Sequence, residues 1–347
     1  MKYLICQDYS NTTNNHAGIK HMCMLLKKYY PEQYEIIVFP DLYKNLDINT
    51  IYGKIMMKIF QKVLIPNKYK KIGDYLIEKA GDDDNIYLLE YFNTSFPQLS
   101  LAKYIKKRNN RITIYGMAHL VPEIINKQFS GKQFNKWVSS IDTILTLGSS
   151  LSNYFIQSKC VNEKKIKTLF HYVDLDYYKP LVTENFETKK RYPKILVMGN
   201  QKRNFNLLLS ITKANPKIQF TICQGVIDLR DKFKNCNNVH LVGFIEEDEL
   251  LSLMQHSDIS LNIMDDTIGS NVIVTSMAVG LAMIVSDVGS IRDYCKEDGA
   301  IYCKNTVESF SDAINELFEK KNKLNLLKEK SLKYSCNFSI HNLRKLL

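Results

Sequence analysis

The stretch Leu261–Asp287 constrains the fold more than any other part of the sequence. It reads LNIMDDTIGSNVIVTSMAVGLAMIVSD. One apolar run precedes the polar turn Asp265–Ser270, and a second follows a run of small residues, 271–279, that favours a helix. Gly280 has the position of a residue that ends such a helix. Strand, turn, helix and strand form a βαβ unit, which is typical of a parallel sheet covered by helices.

The polar turn of this unit is also a candidate binding site. In an open parallel sheet, ligands bind outside the carboxyl ends of the strands. The helix that follows the turn presents free backbone N–H groups and the positive end of its dipole there. The stretch therefore predicts a phosphate-bearing ligand at 265–271. An ordinary α/β crossover with a solvated turn is the alternative, and this stretch alone does not decide between them.

Composition predicts a globular chain of two domains. The 347 residues are 45% hydrophobic, which is enough for two cores. We find no run of 18 uncharged apolar residues, so no transmembrane helix is expected. The N-terminus becomes polar after a few residues, which is typical of a strand and not of a signal peptide. The eight cysteines lack CxxC spacing and indicate buried thiols in a reducing compartment, so we expect a cytoplasmic protein.

The net charge of +11 suits nucleic acid, an anionic membrane or a phosphorylated substrate. No nucleic-acid-binding module is recognisable, so we do not expect nucleic acid as a partner. The segment from Lys54 to Lys71 interleaves lysines with apolar residues, and Pro66 is predicted to break it into two helices. Such a basic amphipathic segment can bind the interface of an anionic membrane. The alternative is a surface helix whose apolar side covers the sheet.

Strand and helix patterns alternate along the chain on both sides of the polar, charged segment 181–193. This alternation predicts two doubly wound α/β domains, 1–180 and 194–330, joined by a linker at 181–193. The first loop of neither domain carries GxGxxG, which argues against a nicotinamide dinucleotide site. A Walker loop, a GxSxG elbow and an HExxH motif are also missing from the sequence.

A histidine follows one of the predicted strands of the first domain. His119 comes shortly after the strand pattern Arg111–Tyr115, at the carboxyl end where ligands bind. A lone histidine is more often structural than functional, so this position by itself leaves both roles open.

The order of motifs resembles the GT-B glycosyltransferases of the retaining family 4 type, most clearly over residues 139–295. Five segments carry the resemblance in the family's order and spacing: Ile141–Thr146 before the family's Ser loop, Lys165–Pro180 (NGVD…F-P), Ile195–Arg203 (VGR…K), Asn238–Leu250 (V-x-F-x-G) and Ser276–Ser290 (EAMACG…PVVASDVGG). The resemblance implies two Rossmann-like domains that face a central cleft. The acceptor would bind 1–180 and the nucleotide sugar 194–330, while 331–347 would pack back on the N-terminal domain.

The family's Glu-x7-Glu pair is replaced in this sequence. In the family, the first Glu binds the donor sugar and the second binds the ribose. The same spacing gives Thr267 and Thr275 here, and Asp266 is one residue from the first position. A threonine hydroxyl can donate or accept a hydrogen bond at a ribose, but this bond is weaker than one to a carboxylate.

The resemblance also implies roles for individual residues. It implies His119 as the catalytic residue beside the transferred sugar. The residues expected at the donor fall into three groups: Gly18, Lys202, Arg203, Gly269, Ser270 and Asn271 at the diphosphate, Asp266, Thr267 and Thr275 at the sugar and ribose, and Gly243, Phe244 and Ile245 at the nucleobase.

The activity implied is a hexosyltransferase-type reaction in glycan or polysaccharide synthesis. A UDP- or GDP-linked sugar would pass, with retention and without a metal, to a glycan or a lipid-linked acceptor. The enzyme would be cytoplasmic, with association at the cytoplasmic membrane face as an option. Two alternatives stay open. One is a GT-B protein that binds a nucleotide or glycan without transfer, and the other is a GT-B nucleotide-sugar epimerase.

Overall fold

The computed structural model divides into two compact units, Met1–Leu169 and Phe170–Leu347. Its described residues are 1–9, 15–44, 46–47, 49–94, 98–181 and 192–347. Each unit contains a parallel six-stranded sheet with helices between successive strands, as predicted. No helix within these ranges is long and apolar enough to cross a bilayer.

The first unit has the strand order β2-β1-β3-β4-β5-β6. Its strands are β1 (Lys2–Gln7), β2 (Tyr34–Phe39), β3 (Asn85–Leu88), β4 (Thr113–Ala118), β5 (Thr143–Thr146) and β6 (Ile166–Thr168). Ile5 of β1 lies between Ile37 and Leu88 in the register. Both Ile5 and Leu88 are fully buried, because a parallel sheet is covered on both faces.

Seven α-helices of the described chain belong to the first unit. They are α1 (Ile19–Tyr29), α2 (Ile51–Ile59), α3 (Ile65–Lys79), α4 (Leu99–Arg108), α5 (Pro122–Gln128), α6 (Gly131–Val138) and α7 (Ser149–Lys159).

The predicted division at Pro66 is correct in part, because the segment forms two α-helices but no break separates them. A π-helical turn, Phe60–Leu64, joins α2 to α3, and Pro66 lies in the first turn of α3. The chain stays helical through the π-helical turn, in which the N–H of Ile65 bonds to Phe60 O. The alternative of a helix whose apolar side covers the sheet holds for α3, which buries Ile65 and Tyr69, but not for α2, in which only Gly53 is buried.

The second unit has the strand order β12-β11-β10-β7-β8-β9. Its strands are β7 (Ile195–Val197), β8 (Phe220–Cys223), β9 (Val239–Val242), β10 (Ile259–Asn262), β11 (Ala282–Ser286) and β12 (Ala300–Cys303). Phe220, Ile259 and Ile284 are fully buried in the core of this unit.

The helices of the second unit connect these strands and form the C-terminal segment. They are α8 (Phe205–Ala214), α9 (Arg230–Phe233), α10 (Glu247–Gln255), α11 (Asn271–Val279), α12 (Ile291–Cys295), α13 (Val307–Glu319), α14 (Lys321–Ser335) and α15 (Ile340–Leu346). The predicted βαβ unit is present, and α11 begins and ends where the sequence predicts. Gly280 ends it in the left-handed region, with φ of 83°, which an L side chain adopts only with strain.

The predicted domain boundaries differ from the division of the structure. The second unit begins at Phe170, before the predicted boundary at residue 180. Most of the predicted linker 181–193 lies outside the described residues. The C-terminal segment 331–347 belongs to the second unit, where Phe338 stacks on Tyr294 at 5.0 Å between ring centroids. Its packing against the first domain stays a prediction.

Candidate functional site

The strand order of the second sheet creates a crevice between β7 and β10. From β7 the chain continues to β8 and β9 on one side, whereas β10, β11 and β12 lie on the other side. The chain continues from β7 toward one face of the sheet and from β10 toward the opposite face. The two connections therefore diverge, and the space between them is the crevice in which such sheets bind ligands. The loop after β7, 198–204, and the turn after β10, 263–270, end in this crevice.

Backbone hydrogen bonds join this loop to this turn. Asp265 N donates to Lys202 O at 2.9 Å, and Asn204 N donates to Ile263 O at 3.0 Å. Arg203 and Met264 form an isolated antiparallel bridge between these two bonds. The pairing brings the predicted Lys202–Arg203 pair to the turn at which the sequence predicts an anion.

Arg203 is a half-buried residue with a buried Nε, and it places a positive charge in this crevice. Its Nη1 donates to Asn262 Oδ1 at 3.0 Å, and its buried Nε has no hydrogen-bond partner among the described residues. Within those residues, no carboxylate forms an ion pair with this guanidinium. Burial lowers the pKa of Arg203 to about 10, so the group stays charged at neutral pH. A buried charge without a counter-charge is costly, and an anionic ligand would remove that cost.

Two buried amide oxygens at this edge also lack a partner. They are Asn200 Oδ1, in the loop after β7, and Asn271 Oδ1, in the first residue of α11. Amide oxygens accept hydrogen bonds and therefore suit hydroxyl groups, whereas the Arg203 Nε suits an anion. A ligand with phosphate and hydroxyl groups would satisfy all three atoms.

The N-terminus of α11 is fixed by Ser270 and Gly269. Ser270 Oγ accepts from Val272 N at 3.2 Å and caps the nine-residue helix. Gly269 has φ of 112°, and a Cβ there would lie 2.1 Å from Tyr294 Oη. The phenol oxygen of Tyr294 accepts from His171 N at 3.0 Å, so the ring cannot easily move aside. The backbone approaches the crevice here only because residue 269 is glycine.

Both threonines at the family's glutamate positions hold backbone groups of their own segment. Thr267 Oγ1 accepts from Gly269 N at 3.1 Å. Thr275 Oγ1 donates to Asn271 O at 2.8 Å within α11. Each residue is 5% exposed. The neighbouring Asp266 Oδ1 accepts from Thr267 N at 2.8 Å. Their assigned contacts with sugar and ribose stay predictions.

Two side chains that were not predicted from the sequence hold the turn 263–270 in place through hydrogen bonds to Met264. Ser286 Oγ, at the end of β11, accepts from Met264 N at 2.8 Å and donates to Asn305 Oδ1 at 2.6 Å. Asn305 Nδ2 donates to Met264 O at 2.9 Å. Asn262, which holds Arg203, was also missed. Asn262 could have been identified from the sequence, because it is a polar residue at the end of an otherwise apolar strand.

Lys202 and the three residues predicted at the nucleobase belong to loops that follow strands of the second sheet. Lys202 is half-buried with φ of 53°, a left-handed conformation that is unusual for a residue with a side chain. Gly243, Phe244 and Ile245 follow the edge strand β9, and Phe244 is 66% exposed. Their role at the nucleobase stays a prediction.

Gly18 and His119 lie in the first unit. Gly18 is the N-cap residue of α1, and His119 directly follows β4, at the carboxyl edge as predicted. Burial alone lowers the pKa of His119 to about 4, so its imidazole is neutral at physiological pH. A neutral imidazole can accept a hydrogen bond from a hydroxyl, but it is a poor proton donor.

Comparisons with known proteins agree with this architecture. Residues 193–320 match the model of the family Glycosyl transferases group 1. This match covers the crevice between β7 and β10 and supports a glycosyltransferase domain in the second unit. No curated protein sequence shows a significant match to the chain.

Solved structures are similar over nearly the whole chain. A glycosyltransferase from Rickettsia africae is 15% identical with a TM-score of 0.68, and the match covers 99% of this chain and 96% of that one. HepE from Anabaena, solved with UDP, is 14% identical with a TM-score of 0.70 and coverages of 99% and 98%. Sucrose-phosphate synthase from Thermosynechococcus elongatus is 10% identical, with a TM-score of 0.70 and coverages of 99% and 96%. The fold is GT-B. At such low identities these structures establish the GT-B fold and leave the reaction open.

Replacing Arg203 with alanine should abolish the affinity of the GT-B crevice for a diphosphate. We expect Arg203→Ala to weaken UDP binding by at least about a hundredfold, or ~2.7 kcal/mol, by isothermal titration calorimetry. Arg111→Ala is the matched control, because the exposed Arg111 forms an ion pair with Asp82 and precedes the amino end of β4 in the first unit. Equal UDP affinity in both variants would contradict the assignment of Arg203.

The pKa of His119 can be measured directly by NMR. We expect its ring protons to titrate with a midpoint below pH 5, because burial disfavours the charged form. The folded-state pKa is depressed, so its contribution to stability is present above pH ~6.5 and decreases as the pH falls toward 4. His119→Gln should remove that part of the pH dependence of unfolding. A midpoint near 6.5 would contradict a buried, neutral imidazole.

Proposed function

We propose that this protein is a retaining glycosyltransferase that uses a nucleoside-diphosphate sugar. The observation that carries the proposal is the guanidinium of Arg203, which has no carboxylate partner among the described residues. It lies in the crevice between β7 and β10, beside the N-terminus of α11. A diphosphate supplies the missing negative charge, and the sugar or ribose hydroxyls suit the unpaired oxygens of Asn200 and Asn271.

The geometry suits stabilisation of a departing diphosphate. During transfer, the bond from the anomeric carbon to the phosphate oxygen breaks, and negative charge grows on the diphosphate. Arg203, Lys202 and the N-terminal N–H groups of α11 are positive groups held in place before the reaction, which is the arrangement that lowers such a barrier. We assign this task to these groups and not to a metal ion.

Retention requires the acceptor hydroxyl to attack on the side that the diphosphate leaves. The new bond joins the acceptor oxygen to the anomeric carbon, and the hydroxyl proton passes to the departing phosphate oxygen. No protein base is then needed. The neutral His119 would act by accepting a hydrogen bond from a hydroxyl of the transferred sugar.

Donor turnover tests this proposal. UDP-glucose is the first donor to try, because HepE from Anabaena has been solved with it, and GDP-linked sugars follow. We expect slow release of UDP or GDP without acceptor, faster release with a glycan or lipid-linked acceptor, and no loss with EDTA. Arg203→Ala should lower the rate more than a hundredfold, whereas Arg111→Ala should leave it unchanged. Dependence on added Mg²⁺ or Mn²⁺ would contradict the metal-free part of the proposal.

One observation favours a binding protein as a second candidate. The hydroxyl groups of Thr267 and Thr275 bond to the backbone of Gly269 and Asn271, at positions where the family has carboxylates that hold the donor. A chain that binds UDP or GDP tightly but turns over none of the donors would support this second function over transfer.

We propose a membrane-bound acceptor on the evidence of α2 and the π-helical turn. Ile51, Ile55, Ile59 and Val63 repeat every four residues, so they form one stripe on the helical surface, and they are 43–80% exposed. Exposed apolar stripes of this kind indicate an interaction surface.

A lysine stripe runs beside the apolar one. Lys54, Lys58 and Lys62 are exposed and have no carboxylate partner in the described chain. Near an anionic bilayer each lysine contributes about 1 kcal/mol, while the apolar side chains enter the interface. The pairing of the two stripes favours an anionic lipid surface over a protein partner, and it suits a lipid-linked acceptor.

Vesicle sedimentation tests the membrane surface. We expect the protein to bind phosphatidylglycerol vesicles more strongly than phosphatidylcholine vesicles, with binding that falls as salt is raised. Ile55→Glu with Ile59→Glu should reduce binding at least tenfold. Leu326→Glu is the control, because Leu326 is a comparably exposed apolar residue on α14. Equal binding of both variants would contradict the assignment.

A further inference from the structure

The first sheet has a crevice of its own. Its order places β1 between β2 and β3, so the connections from β1 and β3 leave toward opposite faces. This is the position at which doubly wound sheets bind ligands. Tyr9 comes two residues after β1, and Glu90 comes two residues after β3. Leu89 N donates to Ile5 O at 3.1 Å and keeps these two ends together.

Glu90 is the centre of a polar cluster at this crevice. Its carboxylate accepts hydrogen bonds from the side chains of Tyr9 and Asn93. Its backbone N donates to Oε1 of the fully buried Gln98 at 3.2 Å. The Oε1 of the buried Gln7 has no partner among the described residues. Unpaired buried polar atoms are rare in proteins and are a common feature of functional sites.

The charge partners of Glu90 differ from those of Asp8. The described residues include no cation in ion-pair contact with Glu90, whereas the nearby Asp8 pairs with Lys20 at 2.8 Å. Burial raises the pKa of Glu90 to about 7. At neutral pH its carboxyl group can therefore accept a hydrogen bond from a hydroxyl or donate one to it.

The cluster is accessible despite the burial of its carboxylate. Glu90 and Asn93 are half-buried, and Tyr9 is 42% exposed. A carboxylate, a phenol and an amide offer acceptors and donors at short spacing, and the ring offers an apolar face. This combination matches the hydroxyl groups and the C–H face of a sugar. A single carboxylate is a poor site for a divalent cation, which prefers several oxygen ligands.

We propose that Glu90 and Tyr9 bind hydroxyl groups of the acceptor sugar at the carboxyl edge of the first sheet. The inference rests on the proposed glycosyltransferase function, since it names the sugar that receives the transferred group. In this assignment Glu90 determines which acceptor sugar binds. The residues that stabilise the departing diphosphate are those of the second unit.

Direct binding of sugars tests the proposal in the full-length protein. Methyl glycosides of glucose, galactose and N-acetylglucosamine are titrated by NMR, each in the presence of UDP. We expect at least one glycoside to bind, and we expect Glu90→Gln and Tyr9→Phe each to weaken that binding at least tenfold. Glu78→Gln is the control, because its side chain is 75% exposed, and it should bind like the wild type.

UDP affinity separates this inference from the proposed function. It should be unchanged in Glu90→Gln and Tyr9→Phe, because Arg203 and α11 are intact. Failure of the wild type to bind either UDP or GDP would overturn the proposed function, whereas nucleotide binding without any glycoside binding would overturn only the acceptor site. Wild-type glycoside affinity in Tyr9→Phe would also overturn it, and this variant decides the case if Glu90→Gln does not fold.

Discussion

The guanidinium of Arg203 is the group on which the candidate site of the second unit depends. It connects the loop after β7 to the end of β10 through its bond to Asn262, at the one place in the sheet where the strand order reverses. One neutral hydrogen bond does not offset the burial of a full charge. The loop is therefore arranged for an anion, and the backbone bonds from Asp265 and Asn204 hold it in that arrangement.

The turn after β10 is stabilised by its own polar side chains. Thr267 accepts from Gly269 N, Ser270 caps α11, and Ser286 with Asn305 holds Met264 from the neighbouring strands. These bonds fix a backbone that approaches the crevice closely. They also use the hydroxyl groups at the positions where the family has carboxylates. If the donor sugar is bound tightly, the unpaired oxygens of Asn200 and Asn271 are the groups in place to replace those contacts.

The first unit combines two features that point to the same kind of acceptor. The exposed apolar and lysine stripes of α2 suit an anionic bilayer, and the Glu90 cluster suits the hydroxyl groups of a sugar. A lipid-linked glycan has both parts. The fold comparisons carry no information on this point, because the acceptor is recognised by side chains and not by the order of strands.

Several elements could be predicted from the sequence because the signal is local. The apolar runs around 271–279 and the glycine at 280 predicted α11 and its end correctly, since a helix depends on residues within a few positions of one another. The alternation of strands and helices likewise predicted two parallel sheets. Pro66 correctly indicated the start of a second helix, but the π-helical turn that keeps the chain helical before it has no clear sequence signal.

The candidate site was predicted only in part, because it depends on contacts between segments that are distant in the sequence. The sequence by itself determined that a glycine-containing turn and a Lys–Arg pair each follow a buried strand, because strand and loop composition are properties of short segments. Only the tertiary structure decided that these strands are neighbours, that Asn262 holds Arg203, and that Glu90 lies beside Tyr9. Burial, charge compensation and hydrogen bonding between distant segments depend on how the sheet is assembled, and no single stretch of sequence contains that information.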